Sequence, residues 1–359
     1  MTNLFVGHAF TTNISININI NVFHSNYLMT SQFEDLHTTN ILVTGGCGFI
    51  GSNFINFLWK HTKHLNIINI DALYYCASEK NVLKDIRNDK RYTFIKCNLN
   101  NKDFLKYLLT KNNITHIVHF AAQSHVQNSF DDSLQYTNDN ILGTHHLLES
   151  AKDLYLQKKL KLFIHVSTDE VYGESMLNEN KKTECSVLCP TNPYAATKAG
   201  AELIAQSYYY SFKMPIIITR GNNVYGPNQY PEKLIPKFIQ QLRRNEKVTI
   251  QGDGSCLRSF LHVDDVANAF FCILQKGVLG EIYNIGSDDN SEYSVFQIAK
   301  KLIQKIKQNT NYERWITYIE DRPFNDKRYY INNQKLKDLG WEIKISFEDG
   351  LNNLIKLSQ

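Results

Sequence analysis

The chain has 359 residues, of which 43% are hydrophobic and 21% are charged, and its formal net charge is +4. This length is more than one compact core usually needs, so we expect a large domain with a second lobe. The composition is that of an ordinary globular protein. The basic residues are scattered and no apolar run is long enough to span a bilayer, which argues against nucleic-acid and membrane partners.

Residues 1–38 precede every other recognisable element. Between Ile14 and Val22, isoleucine alternates with serine or asparagine, which is the period of a strand, but no partner strand is evident. No lysine or arginine occurs before Lys60, so the basic region of a secretory signal and the arginines of a transit peptide are both missing. We predict a poorly ordered leader. The alternatives are that this segment adds an edge strand to the sheet or to a partner, or that translation starts at Met29.

A glycine-rich turn follows the first apolar segment, residues 40–44. The string GGCGFIG contains G-x-G-x-x-G from Gly46 and G-x-x-G-x-x-G from Gly45. Glycine lets the strand turn sharply, lets a pyrophosphate approach the backbone and lets the next helix pack closely. The phosphates would lie at the positive end of the helix that begins near Phe49. A plain turn is the alternative.

The second apolar run ends in Asp71, about 20 residues after Gly51. A carboxylate at this spacing can accept hydrogen bonds from both ribose hydroxyls of NAD, and it would repel the 2'-phosphate of NADP. The sequence therefore favours NAD as the cofactor. A turn or helix-capping aspartate is the alternative.

Strand-like and helix-like segments alternate beyond the leader, as in a doubly wound parallel α/β sheet. The predicted strands are 41–46, 67–71, 92–98, 116–122, 162–168 and 215–222, and the clearest helices are 138–156 and 193–212. Ligands bind at the carboxyl ends of such strands, where the polar candidates fall. We predict a Rossmann domain over residues 39–224 and a smaller substrate-binding α/β lobe over 225–359, interleaved with the sheet.

A possible catalytic set follows the fifth predicted strand. Thr168, Asp169 and Glu170 stand at its end, and Tyr194 and Lys198 share one face of the next helix. A cation beside the phenol, with a positive nicotinamide ring nearby, would lower the tyrosine pKa from about 10. The phenolate could then take a proton from a sugar hydroxyl as hydride leaves the same carbon. An acidic turn and a chance Y-x-x-x-K pair are the alternatives.

Several strings together resemble the nucleotide-sugar 4,6-dehydratases of the extended short-chain dehydrogenase/reductase family. These strings are TGGCGFIG at 44–51, AAQSHV at 121–126, STDEVYG at 167–173, YAATK at 194–198, NNVYGP at 222–227 and PEKLIP at 231–236. The similarity covers residues 40–354, and STDEVYG and PEKLIP are specific to this branch of the fold.

The resemblance implies a role for each member of the catalytic set. Tyr194, assisted by Thr168 and Lys198, would be the base at the sugar 4-hydroxyl while NAD accepts the C4 hydride. Glu170 would remove the C5 proton as Asp169 protonates the departing 6-hydroxyl. Return of hydride to C6 would leave a 4-keto-6-deoxy sugar and the original cofactor.

The resemblance also implies two sets of binding residues. The cofactor set is Gly45, Gly48, Phe49, Ile50, Gly51, Asp71, Asn98, Leu99, Ala121, Ala122, Thr137, Tyr194 and Lys198. The nucleotide-sugar set is Ser124, Thr168, Asn223, Lys233, Leu234, Thr249, Ile250, Gln251, Arg258, Asp321 and Arg322. Arg258 suits a diphosphate because a guanidinium can bind phosphate oxygens bidentately, although a surface arginine is the alternative.

Two departures from the bacterial pattern bear on the substrate. Asn98 stands where an aspartate usually contacts adenine, and its amide can still accept a hydrogen bond. Gln123 and the string RGNN at 220–223 resemble the branch that includes plant rhamnose synthases, which favours UDP-glucose over dTDP-glucose. The two bases differ by one methyl group, worth only about 1–3 kcal/mol in a pocket.

Two further functions fit part of the same sequence. An NAD-dependent nucleotide-sugar epimerase or decarboxylase would use the tyrosine and the cofactor without needing Asp169 and Glu170. A non-catalytic NAD-binding regulator would need the cofactor residues alone, because a fold does not fix function. The presence of the whole catalytic set favours the dehydratase over both.

The resemblance further implies a homodimer joined through the helices at 138–156 and 193–212. The seven cysteines are dispersed and lack metal-ligand spacing. We therefore expect reduced thiols, no bound metal and a cytoplasmic location.

Overall fold

A computed structural model describes residues 39–358, apart from the side chain of Asn290. The predicted leader, residues 1–38, lies outside the described residues. The strands are β1 Asn40–Thr44, β2 Asn66–Asp71, β3 Tyr92–Lys96, β4 His116–His119, β5 Leu162–Thr168, β6 Ile216–Gly221, β7 Asn223–Tyr225, β8 Val248–Gln251, β9 Leu257–His262, β10 Ile282–Ile285, β11 Glu292–Ser294 and β12 Ile316–Ile319.

The helices alternate with these strands over the first half of the chain. They are α1 Phe49–His61, α2 Lys84–Arg87, α3 Lys102–Lys111, α4 Val126–Asp131, α5 Ser133–Tyr136, α6 Gly143–Leu156, α7 Pro193–Phe212, α8 Leu234–Arg243, α9 Val263–Lys276, α10 Val295–Lys307, α11 Gln334–Asp338 and α12 Phe347–Leu357. A π-helical turn, Thr137–Leu142, leads into α6, and a 3₁₀ turn, Asp169–Tyr172, follows β5.

The central sheet has seven parallel strands in the order β10-β6-β5-β4-β1-β2-β3. The predicted doubly wound α/β fold is confirmed. Alternate side chains of β1 enter two separate cores, since Ile41 and Val43 pack with α1 and α9 whereas Leu42 packs with α3, α6 and α7. The sheet is therefore covered on both faces, as a parallel sheet requires.

The seventh strand of the sheet was not predicted. β10 pairs with β6 in parallel, with Ile282 opposite Ile218, although it lies beyond residue 224. Helix α9 also comes from this later region and packs against α1 beneath the sheet. Trp341, which is 1% exposed, donates its indole N–H to the Asp265 carbonyl at 3.0 Å and ties the C-terminal segment to the same core. The division at residue 224 stays a prediction.

A third core forms the smaller lobe. Helices α8, α10 and α12 enclose it together with β8, β9 and β12. Ser294 and Gln297 form a capping box at the start of α10, in which each side chain accepts the backbone N–H of the other residue. Strands β8 and β12 pair in parallel, and β9 lies between β7 and β11.

The seven cysteines all carry free thiols. Between residues 39 and 358, none of the helices combines the length and the apolar character that a bilayer crossing needs.

Candidate active site

A cavity of about 250 Å³ opens at the carboxyl ends of β1, β2 and β4. We call it the cofactor cavity, because every predicted cofactor residue except Thr137 lines it. Those lining residues are Gly45, Gly48, Phe49, Ile50, Gly51, Asp71, Asn98, Leu99, Ala121, Ala122, Tyr194 and Lys198. The strand ends thus meet at one edge of the sheet, as the parallel topology requires.

The glycine loop is shaped by close backbone contacts. Gly45 has φ +68, and a Cβ placed there would lie 2.7 Å from the Ala121 backbone nitrogen. A Cβ on Gly51 would overlap the Gly45 carbonyl oxygen, which lies where α1 packs against the turn. Side chains at these two positions would therefore push the turn apart, and the loop presents bare backbone to the cavity.

Asp71 lies at the end of β2, is 8% exposed and forms part of the cavity wall. Its Oδ2 accepts the Cys47 backbone N–H at 2.9 Å and its Oδ1 accepts that of Leu73 at 2.8 Å. Burial raises the pKa of Asp71, and these two hydrogen bonds oppose that rise. Each oxygen retains a lone pair, so the carboxylate can still accept from a pair of vicinal hydroxyls.

Thr137 does not line the cofactor cavity, and its role at the cofactor stays a prediction. Its side chain is exposed and its hydroxyl donates to the Ser133 carbonyl at 3.2 Å. Asp139, in the same π-helical turn, lines the cavity instead. Its Oδ2 accepts from the amide nitrogens of Gln123 at 2.9 Å and Gln135 at 2.8 Å. The wider π turn therefore brings Asp139 to the wall.

Asn98 holds a neighbouring side chain of the cavity in place. Its Nδ2 donates to the Tyr74 hydroxyl at 2.9 Å, and its Oδ1 accepts the Asn100 backbone N–H at 2.8 Å. The Tyr74 hydroxyl in turn donates to Asp139 Oδ1 at 3.2 Å. These contacts join the ends of β2 and β3 to the π turn.

A second cavity of about 660 Å³ lies between the sheet and the smaller lobe, and we call it the polar cavity. It shares Ser124, Gln229, Glu232 and Lys233 with the cofactor cavity, so the two adjoin. Among the predicted nucleotide-sugar residues, those that line it are Ser124, Asn223, Lys233, Leu234, Thr249, Gln251, Arg258 and Arg322.

Three predicted nucleotide-sugar residues, Thr168, Ile250 and Asp321, do not line the polar cavity, and their role at the substrate stays a prediction. Ile250 is fully buried in the core of the smaller lobe, because alternate side chains of β8 point to opposite faces. Asp321 is exposed, and its Oδ1 accepts the Asn325 amide at 3.0 Å. Asn325 is the residue of that pair that lines the cavity.

Lys237 lines the polar cavity together with three further cationic residues, Arg258, Arg322 and Lys233. Arg258 donates to the Leu257 carbonyl at 2.8 Å and to Asn325 Oδ1 at 3.0 Å, and Arg322 donates to Gln251 Oε1 at 3.1 Å. Lys233 donates to the Ser124 carbonyl at 2.8 Å, and burial lowers its pKa. The hydrogen-bond partners of all three are uncharged oxygens, which leaves their charge available to an anion.

Asp169 begins the 3₁₀ turn after β5 and is 2% exposed. Its Oδ1 accepts the Thr168 hydroxyl at 3.3 Å and its Oδ2 accepts the Asn222 amide at 2.6 Å. Burial, and next the neighbouring Glu170 carboxylate, raise the pKa of Asp169 to about 7. A carboxylic acid of this kind can carry a proton near neutral pH. Thr168 and Asp169 are buried and line neither cavity, but both lie close to Tyr194, which lines the cofactor cavity.

Glu170 reaches the polar cavity. Its Oε2 accepts the Asn192 amide at 3.1 Å and lies 3.3 Å from the donating Tyr329 hydroxyl. Burial raises the pKa of Glu170, and the Asn192 hydrogen bond opposes the rise. Asn192 also caps α7 by accepting the Ala195 backbone N–H at 2.9 Å, so one side chain connects Glu170 to the helix that carries Tyr194.

Tyr194 and Lys198 lie one turn apart on α7 and both line the cofactor cavity. Burial raises the pKa of Tyr194, as do the nearby Glu170 and Asp169, and a hydrogen bond to Thr168 opposes the rise. Lys198 is not among the groups that lower the pKa of Tyr194, so the predicted effect of Lys198 on this pKa is not found. Lys198 donates instead to the Val166 carbonyl at 2.6 Å, and burial lowers its own pKa to about 8.

Comparison with known families agrees with this arrangement. Residues 42–354 match the family described as GDP-mannose 4,6 dehydratase. The chain belongs to this family. The resemblance to nucleotide-sugar 4,6-dehydratases is thereby confirmed.

Members of the family with known names are similar over most of this chain. The human dTDP-D-glucose 4,6-dehydratase is 46% identical over 319 residues, which are 88% of this chain and 89% of that protein. A trifunctional Arabidopsis thaliana protein, whose first named activity is UDP-glucose 4,6-dehydratase, is 46% identical over 87% of this chain but only 46% of its own length. The Streptomyces venezuelae dTDP-glucose 4,6-dehydratase, crystallised with NAD, is 34% identical, with a TM-score of 0.82 over 89% of this chain and 96% of that one.

Several residues that shape the site of this dehydratase family member were missed. Tyr329 donates to Asp326 at 2.6 Å as well as approaching Glu170, and Thr191 donates to both oxygens of Asp326 at 2.8 Å. These residues lie far apart in the sequence, and no local motif marks them.

A further contact involves Tyr230 and Glu232, which line the cofactor cavity. The Tyr75 hydroxyl donates to Glu232, at 2.8 Å from Oε2 and 3.0 Å from Oε1, and accepts from the Asn128 amide at 3.3 Å. The Tyr75 ring also lies edge-on to Tyr230, with 5.3 Å between centroids. This contact, which we call the Tyr75 clasp, joins the loop after β2 to the segment before α8.

Proposed function

We propose that this protein is a hydro-lyase that uses NAD to convert UDP-glucose to UDP-4-keto-6-deoxyglucose, an early step towards a rhamnose-type deoxysugar. One observation carries the proposal. Tyr194, Thr168, Asp169 and Glu170 come together where the cofactor cavity adjoins the polar cavity. An enzyme that only oxidises and reduces at C4 needs the tyrosine but not the two carboxyl groups.

The cofactor cavity fits NAD. The bare backbone of the Gly45–Gly51 turn suits a pyrophosphate, and Asp71 offers an acceptor to each hydroxyl of an unphosphorylated ribose. Bound NAD would supply the oxidation of C4 that acidifies the C5 proton, and the reduction of C6 that follows. The relative from Streptomyces venezuelae was crystallised with NAD, which supports the assignment.

The protein groups would move the protons. Tyr194 takes the proton of the 4-hydroxyl, and Thr168, which is hydrogen-bonded to the phenol, stabilises its charge. Glu170 then takes the C5 proton, and the electrons of that C–H bond form the C5–C6 double bond. The C6–O bond breaks, and its oxygen receives the Asp169 proton and leaves as water. A raised pKa keeps Asp169 protonated for this step at neutral pH.

The polar cavity suits a nucleotide diphosphate. Arg258, Arg322 and Lys233 provide positive charge, and Thr249 and Gln251 provide polar groups on the same wall. Gln123 and the RGNN string favour UDP-glucose, as does the name of the Arabidopsis relative. The names of the human and Dictyostelium discoideum relatives favour dTDP-glucose as the second candidate.

Incubation of the purified protein with each nucleotide sugar, without added reductant, tests the proposal. We expect the mass of one substrate to fall by one water, and a 4-keto product that absorbs in alkali. A product of unchanged mass with an altered C4 configuration would identify an epimerase, and loss of carbon dioxide from a uronic acid would identify a decarboxylase. Tight NAD binding without any product would identify a regulator.

The assembly and the location stay predictions. Exposed apolar side chains do lie on the helices expected to form the homodimer, among them Leu156 on α6 and Leu203 and Phe212 on α7. We propose that these helices pair between two copies, and that the enzyme works in the cytoplasm.

A further inference from the structure

Asn222 lies directly behind the acid, clamped between the ends of β6 and β10. Its backbone N–H donates to the Ile285 carbonyl at 3.0 Å, and its Oδ1 accepts the Ser287 backbone N–H at 3.1 Å. A Cβ on Gly286 would lie 2.9 Å from that Oδ1, so glycine makes room for the carboxamide. Asn222 is 7% exposed, and it lines neither cavity.

These contacts fix the orientation of the Asn222 amide. A backbone N–H can only donate, so the group that faces Ser287 must be the carbonyl oxygen. The amino group then faces Asp169 and donates to its Oδ2 at 2.6 Å. Rotation of the amide by half a turn would leave two acceptors facing each other at Asp169 and two donors at Ser287.

A fixed donor distinguishes the two oxygens of Asp169. In a neutral carboxylic acid the carbonyl oxygen is the better acceptor, so an N–H that donates to Oδ2 favours the form with its proton on Oδ1. We propose that Asn222 is a positioning residue, which holds Asp169 through Oδ2 and directs the acidic proton to Oδ1. The proposal rests on the proposed function only in giving Asp169 the role of acid.

The position of this proton affects Thr168. The Thr168 hydroxyl has one hydrogen and two possible acceptors, Asp169 Oδ1 at 3.3 Å and the Tyr194 oxygen. When Asp169 Oδ1 carries a proton, it no longer accepts the Thr168 hydrogen. Thr168 can then donate to the Tyr194 oxygen and stabilise the phenolate. The protonated acid and the activated tyrosine therefore occur together.

Other charged groups also act on Asp169, and the experiment must separate their effects from that of Asn222. Glu170 raises the pKa of Asp169, whereas Arg258 and the hydrogen bonds from Asn222 and Thr168 lower it. The phenol of Tyr194 is close enough for Asp169 to raise its pKa in turn. Substitution of Asn222 leaves these four neighbours unchanged.

A carbon-13 titration of the aspartate carboxyl groups tests the hydrogen bond without relying on turnover. The Asp169 signal is assigned in the NAD-loaded protein as the one lost in Asp169→Asn. In Asn222→Leu, we expect the proton dissociation constant of Asp169 to fall on the order of tenfold, because the ionised form loses a donor. Asn352→Leu, on the exposed face of α12, is the matched control and should leave the titration unchanged. An unshifted Asp169 in Asn222→Leu would overturn the proposal.

The isosteric variant Asn222→Asp tests the role in catalysis. The new side chain still accepts the Ser287 backbone N–H, but it places a second carboxyl group against Asp169. The two carboxyl groups should share one proton and hold it tightly, so that it is not released to the leaving hydroxyl. We expect water loss to slow at least tenfold. Formation of reduced nicotinamide should slow less, because Tyr194 loses only the assistance of Thr168, so reduced cofactor should accumulate. Equal slowing of both steps would indicate a merely structural role and overturn the proposal. If the wild-type protein expels no water, the proposed function fails, and the titration still decides whether Asn222 controls Asp169.

Discussion

The cofactor cavity and the polar cavity are built from different parts of the chain. The first is formed mainly by backbone and apolar groups at the ends of strands, with Asp71, Asp139 and Glu232 as its carboxylates. The second takes its cationic groups, Lys233, Lys237, Arg258 and Arg322, from segments that only the fold brings together. We infer that shape holds the cofactor and that charged side chains hold the substrate. Substitutions in one cavity should therefore leave binding in the other nearly unchanged.

The largest effect is expected at the junction of the two cavities. Tyr194→Phe removes the group that takes the 4-hydroxyl proton, and kcat should fall about 10⁴-fold, at the upper end for loss of a general base. The variant should retain both NAD and nucleotide sugar. Stopped-flow absorbance of the reduced cofactor measures the step directly. Tyr107→Phe, 57% exposed on α3, is the control. Reduced cofactor at the wild-type rate would remove Tyr194 from this role.

A somewhat smaller effect is expected at Glu170, which lines the polar cavity. Glu170→Gln keeps the size of the side chain but cannot accept the C5 proton, so kcat should fall about 10³-fold. The first oxidation should persist, since Tyr194 remains. Incorporation of solvent deuterium at C5 is the measurement. Exchange that continues at the normal rate in the glutamine variant would reject Glu170 as the base.

Within the polar cavity, Arg258→Lys separates charge from geometry. Lysine keeps the charge but cannot bind two phosphate oxygens in one plane, so KM should rise about tenfold with little change in kcat. NAD content, measured after denaturation, should equal that of the wild type. Arg314→Lys, at an exposed position, is the matched control. Loss of NAD in the Arg258 variant would contradict the independence of the two cavities.

The smallest effect is expected at the Tyr75 clasp. Tyr75→Phe removes the hydrogen bonds to Glu232 but keeps the ring contact with Tyr230, and a loss of about 1 kcal/mol should speed NAD release about fivefold. Dilution followed by rapid filtration measures the release rate. Tyr107→Phe again serves as the control. A change in the KM for the nucleotide sugar, with NAD release unaltered, would assign the clasp to the polar cavity instead.

The cofactor cavity could be predicted because its residues lie in short strings whose spacing reflects local geometry. Gly45, Gly51 and Asp71 are placed by one strand, one turn and the next strand, and a parallel sheet brings their ends together. Thr137, which does not line the cavity, lies in the same region, where the π-helical turn brings Asp139 to the wall instead. A sequence pattern gives no warning of such a turn.

The polar cavity was harder to predict because its members depend on tertiary packing. Thr249, Ile250 and Gln251 were taken as one unit, but side chains alternate along a strand and only the outer two face the cavity. Tyr329, Asp326 and Asn192 reach Glu170 from segments distant in the sequence. The rise in the Tyr194 pKa likewise depends on the burial of the phenol and its distance from two carboxylates, which the spacing of Tyr194 and Lys198 does not encode.

The late position of β10 in the chain has a consequence for biosynthesis. Until residues 282–285 leave the ribosome, the edge of β6 that pairs with β10 has no partner. Helix α9 and Trp341, which complete the core beneath the sheet, are also synthesised after β6. An uncovered edge of buried isoleucines is prone to pair with another chain. A fragment that ends at residue 224 should therefore aggregate when expressed alone, even though it contains nearly the whole of the cofactor cavity.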